Sequence, residues 1–434
     1  MKKALRVKTA ILGCLILVSV HYISAQDWPQ WRGPLGTGAA LSGNPPIEWD
    51  TQKNIRWKTR LTGTGHSTPA VWGNDIFVTA AMPTERGTVS HETVKVTKPV
   101  KFLVMAVDRR TGKVKWERLA REEVPHEPRH QRGAWAAASP ITDGERVYAF
   151  FGSRGLYCYT IEGKLIWEKD FGDMDMDREM GEGTSPALYK NRLIINWDHY
   201  GEDFIVALET STGKEIWRKK RDERISWTTP LIVEEAGRVH VIVVAEKWIQ
   251  SYDITNGDMI WKVAGTQYGN ISTPVAADGI VYVGSGLHSG EVRAIRLDGA
   301  EGNITDSSSI LWSYNKYVPY VPSPLLLGNL LYFLKGEVGF LTCLDVATGQ
   351  PHYANKRLDG IKHIFASPAG VQDRVYILGQ DGVTVVIRYG PELNVLAKNT
   401  LNDKFDASPV IVGNEIYLRG HQYLYCISRE ERMK

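Results

Sequence analysis

Histidine is unevenly placed in this chain. Ten of its eleven histidines lie beyond residue 25, and eight of those, His66, His91, His126, His130, His199, His288, His363 and His421, fall in stretches that join predicted strands. Only His240 and His352 do not. The same joining stretches hold Trp135, Arg154, Glu182, Trp197, Tyr200, Trp227, Asp406 and Arg419. Imidazole moves protons or ligates metals near neutral pH, guanidinium grips acidic groups, and indole stacks on rings. A lyase acting on an acidic polysaccharide needs a proton acceptor beside a uronate and a cation on its carboxylate. His130, His199 and Tyr200 could fill the first role and Arg154 the second. The longest joining stretch, RLAREEVPHEPRHQRGAWAAA (118–138), reads as a loop. It sets His126 and His130 four apart, but Pro125 and Pro128 forbid the helix that would put both on one metal-binding face. Arg129, Arg132 and Trp135 add cationic and stacking capacity to that stretch.

The elements that must carry these residues repeat. Ser/Thr-Pro occurs at Thr68, Ser139, Ser185, Thr229, Thr273, Ser323, Ser367 and Ser408, mostly 41–50 residues apart, with one interval of 71. Each pair opens a unit with a short apolar run, a turn, a β-rich run such as RVYAFF or IVYVGS, and a hairpin ending near Trp. The hairpin turn reads AVDRRTGKVKW (106–116), ALETSTGKEIW (207–217) and SYDITNGDMIW (251–261). A period of this length with strand chemistry predicts an all-β fold: an eight-bladed β-propeller of four-stranded antiparallel blades. The eighth unit supplies three strands, and NIRWKTRL (54–61) is expected to close that last blade as an N-terminal strand. In such a ring the joining loops share a face. His66, His130, Trp135, Arg154, Glu182, Trp197, His199, Trp227, Asp406, Arg419 and His421 are therefore expected around one channel mouth, Trp227 three residues before Pro230 at its rim. Trp57, Trp116, Trp167, Trp217, Trp261 and Trp312 are expected to wedge between neighbouring blades.

Residues 1–25 read as a signal peptide: four basic residues, an apolar stretch, and Ala25 as the expected cleavage site. A 26–53 extension and the 54–430 propeller follow. Removing the signal takes the net charge from +3 to −1, which argues against nucleic acid as a partner. No later segment has the length of apolar sequence a membrane helix requires. A periplasmic or secreted monomer is expected. Cys158, Cys343 and Cys426 take a slot that other units fill with Ala106, Ala207, Ser251 and Ala294, so they read as buried small residues rather than disulfide partners. Nucleotide loops, H-E-x-x-H and G-x-S-x-G are absent from the sequence, and GSGLHSG (284–290) reads as a turn.

The A-x-D-x-x-T-G-K-x-x-W signature resembles the repeats of quinoprotein alcohol dehydrogenases that bind pyrroloquinoline quinone (PQQ). That resemblance implies PQQ with Ca²⁺, for which Glu182, Asn196 and Asn270 are the candidate ligands; the adjacent Cys-Cys pair typical of those enzymes has no counterpart here. The repeats also resemble the propeller scaffold lipoprotein of outer-membrane barrel assembly. The opening Trp28-Pro29-Gln30-Trp31-Arg32-Gly33-Pro34 is similar to secreted PQQ-like propellers that share W-P-x-W-R-G-P. The expectation that follows is an exported binding or assembly module with a His/Arg/Trp-rich ligand face, no cofactor and no redox chemistry. Its partner would be an acidic oligosaccharide or another protein at the channel mouth. A carbohydrate-active protein, such as a lyase, and a PQQ-dependent dehydrogenase are the alternatives.

Overall fold

The structure is a computed structural model describing residues 27–265, 269–286 and 290–429. The expected signal peptide, its cleavage near Ala25, His288 and the centre of the GSGLHSG turn lie outside the described residues. Each Ser/Thr-Pro unit forms an antiparallel sheet beginning on a short inner strand. The third unit is representative: Ala187–Tyr189, Arg192–Trp197, Phe204–Glu209 and Glu215–Lys220, hydrogen-bonded in that order. Alternating apolar residues on the second and third strands bury both faces, and neighbouring sheets pack through them in shared apolar clusters.

The expected eight-bladed propeller of uniform four-stranded antiparallel blades is corrected by the sheet count. The described residues form nine sheets: seven of four strands, one of five and one of three, and none closes on itself. The five-stranded sheet gains Gly302–Asn303, which pairs in parallel with the strand Met259–Ala264. Its source is the long connection 297–309, which replaces the tight Thr-Gly turn of other units. The three-stranded sheet joins Thr88–Ser90, Thr93–Lys95 and Arg129–His130. It explains the 71-residue interval and corrects the loop reading of 118–138, where the strand Val114–Glu123 runs on past Trp116. The N-terminal strand Ile55–Arg60 pairs with Tyr423–Ser428 and completes the last sheet, as expected.

The sheets are joined by side chains. Backbone N–H of Thr68 donates to Ser139 Oγ, Ser139 to Ser185, Ser185 to Thr229 and Thr229 to Thr273. The series continues from Thr273 to Ser323, Ser367 and Ser408, and Ser408 N–H returns to Thr68 Oγ1. All eight bonds measure 2.8–3.2 Å and form a closed belt. Proline after each member disfavours helix there and starts the inner strand where no N–H is needed.

On the outside, the tryptophans wedge as expected. Nε1–H of Trp57, Trp116, Trp167, Trp217 and Trp312 donates to the carbonyls of Arg109, Ile161, Thr210, Ile254 and Val346 in the next unit's turn, at 2.8–3.0 Å. The turn glycine lies flat on each ring. Gly213 and Gly257 have φ of +70° and +74°, and a Cβ would stand 2.6–2.7 Å from the ring. Trp261 departs from the pattern because its neighbour has no such turn; it is wholly buried and its Nε1 has no partner. Opposite these tryptophans sits the small-residue slot, with Cys158 facing Trp167, Cys343 facing Tyr353 and Cys426 facing Trp57. All three thiols are free and buried.

The extension crosses one end of the ring. Trp28 exchanges backbone bonds with Val71, and Ala39 bridges in parallel to Gly370. Arg32, 2% exposed, donates to the carbonyls of Pro324 (2.6 Å) and Pro368 (2.9 Å), two residues of the belt's own dipeptides.

Candidate ligand funnel

A cavity of about 850 Å³ opens along the ring axis. Its inner wall includes belt members Ser139, Ser185, Thr229, Thr273 and Ser323, with Trp31 of the extension beside Thr273. The belt also fixes what stands above it. All eight positions two residues before a belt member line the cavity: His66, Ala137, Gly183, Trp227, Ile271, Val321, Phe365 and Asp406. In ring order these make one apolar arc from Trp227 to Phe365, a polar pair at Asp406 and His66, and a gap at Ala137 and Gly183. Tyr320, Glu337, Arg132, Arg178, Glu182, Glu92 and His130 extend the wall outward, with Glu92 and His130 supplied by the three-stranded flap.

The sequence-predicted residues divide. His66, His130, Glu182, Trp227 and Asp406 line the cavity, and His421 joins them through Asp406 Oδ2 at 2.6 Å. Trp227 is pinned by Nε1–H to Gly181 O at 2.8 Å. The remainder serve the frame. Trp197 is 2% exposed among Phe150, Phe171 and Phe204, which ends its expected place at the channel mouth. His199 is buried, and its Nδ1 accepts from Asp175 N–H and Gly201 N–H. The exposed Tyr200 donates to Asp177 at 2.8 Å. Arg419 is buried on the carbonyls of Ser67 and Thr79. Arg154 is buried on Glu123 (2.7 Å) and His126, away from the cavity wall. Trp135 lies under Arg129, whose guanidinium is 4.7 Å from its ring centre. His126 and His130 do not meet: the first contacts Met174 O at 2.6 Å, the second lines the funnel.

Most arginines are thus already engaged. Arg129 donates to three carbonyls of its own loop, and Arg132 pairs with Glu337. Facing them are Glu92, Glu182, Glu337 and Asp406, so the cavity carries no cationic surplus for an acidic ligand. Burial pushes Glu182 up from the usual carboxylate range, although both its oxygens accept from Ser153, through N–H at 2.7 Å and Oγ–H at 2.5 Å. Gly152 is left no room for a side chain, because a Cβ there would overlap Glu182. Burial also pushes His66 down to about 4, against the opposing pull of Asp406, so its ring is neutral at neutral pH. The three Ca²⁺ ligands implied by the quinoprotein resemblance each have partners within the protein, Asn270 through its carbonyl, which accepts from Trp227 N–H at 3.0 Å. Glu182 is held by Ser153, and Asn196 lies wholly buried on Asp198.

Trp31, Tyr320 and Glu92 were missed as wall residues. Trp31 sits in the W-P-x-W-R-G-P segment, which carries no strand periodicity to place it. Glu92 needed the flap to be recognised. Tyr320 stands three residues before Ser323, one off the two-residue offset that selects Val321.

The family model described as outer membrane protein assembly factor BamB matches residues 42–181, 162–367 and 205–432. An outer membrane protein assembly factor BamB of Francisella salina is 29% identical over 114 residues, which is 26% of this chain and 20% of that one. The match thus spans about a fifth of that curated relative's length. Among solved structures, BamB from Moraxella catarrhalis gives a TM-score of 0.58 at 11% identity, covering 86% of this chain and 99% of that one. Quinohemoprotein alcohol dehydrogenase ADHIIG from Pseudomonas putida HK5 gives 0.57 at 12% identity, covering 94% and 81%. At such identities these likenesses establish the fold, that of a PQQ-type propeller.

Proposed function

The chain belongs to the family described as outer membrane protein assembly factor BamB, within the PQQ-propeller superfamily, and from that premise we propose that it is an extracytoplasmic binding propeller whose funnel takes a ring-bearing, hydroxyl-rich ligand of the oligosaccharide class. One observation carries this reading. Trp227, Phe365, Tyr320 and Trp31 all face a cavity of about 850 Å³ whose other wall is polar. That volume lies in the range of small-molecule sites, and stacking platforms opposed by polar groups suit sugar rings better than a flat protein surface. The charge balance moves the reading from acidic toward neutral saccharides, since Arg154 and Arg419 are spent inside the protein. The outer-membrane wording of the family and the basic-then-apolar N-terminus support an extracytoplasmic setting. Among the described residues no helix is long and apolar enough to cross a membrane.

Titrating neutral and uronic-acid oligosaccharides while following tryptophan fluorescence tests the proposal. A saturable change with a neutral saccharide, weakened at least about tenfold by Trp227→Ala through loss of one stacking face, is expected. If no saccharide binds, the carbohydrate reading is wrong and a protein partner takes its place. The quinohemoprotein likeness supports a second, redox reading, checked by acceptor reduction with PQQ and Ca²⁺; turnover dependent on both would replace the binding reading.

A further inference from the structure

We propose that His66, Asp406 and His421 form a binding site for one borderline transition-metal ion of the Zn²⁺ type, with an open coordination position facing the funnel. The three side chains come from opposite ends of the chain, and the belt brings them together. His66 and Asp406 stand two residues before Thr68 and Ser408, whose hydrogen bond joins the first and last units. His421 follows the second strand of the last sheet, Glu415–Arg419. Both imidazoles turn Nε2 to the same carboxylate oxygen, Asp406 Oδ2, at 3.1 Å for His66 and 2.6 Å for His421. Their rings stack with centroids 5.5 Å apart, and one candidate ligand atom from each residue lies within 4.8 Å of the others. An ion entering between them at ligand distances of about 2.0–2.2 Å requires only small side-chain adjustments.

The surroundings match a metal centre in two further respects. Gln380 Nε2 donates to Asp406 Oδ1 at 2.8 Å and fixes the carboxylate with Oδ2 toward the imidazoles, the orienting role that outer partners of metal ligands play. His66 and Asp406 border the cavity, so a fourth position is reached by water or ligand, as in centres with three protein ligands. The choice of ion follows from the donors. Two imidazoles and one carboxylate disfavour Ca²⁺ and Mg²⁺, which need several oxygen donors. The second His/Glu group among the described residues, His126, Glu127 and Glu182, is a weaker candidate, because Arg154 already points a guanidinium at His126 Nδ1.

The inference does not depend on the saccharide reading, and its test uses metal alone. Tag-free protein stripped with chelator is titrated with Zn²⁺ by calorimetry, and Co²⁺ is followed by its visible absorption. One equivalent bound, with Co²⁺ bands showing nitrogen ligation, is expected. Asp406→Asn and His421→Ala should weaken binding about 100-fold or more, and Gln380→Ala about 10-fold. Because these positions flank the belt, thermal melts without metal establish that each variant folds. His421→Gln, which keeps a polar group of similar size, stands in for any alanine variant that does not. Absence of binding, preference for Ca²⁺, or binding lost in Glu127→Gln but kept in His421→Gln would overturn the site.

Discussion

Replacing Trp217 with alanine measures what holds neighbouring sheets together. The ring is 8% exposed, donates to Ile254 O at 3.0 Å, and carries Gly257 on its face. A buried indole removes roughly 200 Å² from water, worth about 5 kcal/mol as an upper figure. Allowing for partial collapse of the gap, Trp217→Ala should cost about 3–5 kcal/mol. Trp217→Phe keeps most of that area but leaves the Ile254 carbonyl without its donor, for about 1–1.5 kcal/mol. The contact with Gly257 allows a sharper check. Gly257→Ala alone forces a Cβ to 2.6 Å from the ring at φ +74°, and should cost about 2–4 kcal/mol. With Trp217 already alanine the clash is gone and only the backbone cost of about 1 kcal/mol remains. The cycle should therefore show a coupling of about 1–3 kcal/mol, read from urea unfolding followed by circular dichroism. Additive losses, or a Trp217→Ala cost under about 1 kcal/mol, would refute the wedge.

Two further outcomes follow from buried charge. Asp198 and Arg221 are wholly buried and joined at 2.6 and 3.2 Å, with Tyr252 hydroxyl 2.7 Å from the same guanidinium. Asp198→Asn should destabilise by about 3–5 kcal/mol in denaturant melts, because it strands a buried cation; a loss under about 1 kcal/mol would contradict that. Burial, reinforced by Glu182, Asp175 and Glu179, pushes Glu127 from an ordinary 4.5 up to about 7. A raised folded value means the carboxyl is protonated preferentially in the folded protein. Its contribution is full below about 4.5 and is lost as pH rises toward about 7. The full span is worth about 3 kcal/mol, screened by partial exposure to about 1–2 kcal/mol. Glu127→Gln should flatten the stability profile across that window, and an unchanged profile would remove Glu127 as its source.

The repeat was legible because each of its parts has one local job. Ser/Thr-Pro sets the belt, Thr-Gly seats the turn on a ring, and Trp fills the seam, so the units and the returning strand 54–61 follow from spacing alone. Irregular sheets were not legible, because 84–99 and 297–309 add strands that obey no repeat. For the site, the rule that worked was distance from the belt: His66, Trp227 and Asp406 were placed by it. Residue type misled elsewhere. Arg154, His199 and Trp197 have the chemistry of a ligand face, yet they satisfy buried partners, and one sequence cannot distinguish a side chain turned inward from one turned outward.

The hydroxyl belt has no first member. Each unit is related to the next by the same N–H to oxygen bond, and the bond from Ser408 to Thr68 differs in nothing from the seven others. Asn54 and Ser428 already lie one hydrogen bond apart, at 2.9 Å. The point at which the polypeptide is cut is therefore a covalent accident of the ring. A chain with 54 and 428 linked, opened instead at the exposed turn Ala236–Gly237, would spell the same circle from a different origin, without the crossing extension. It would keep His66 beside Asp406, now as residues of adjoining rather than terminal units.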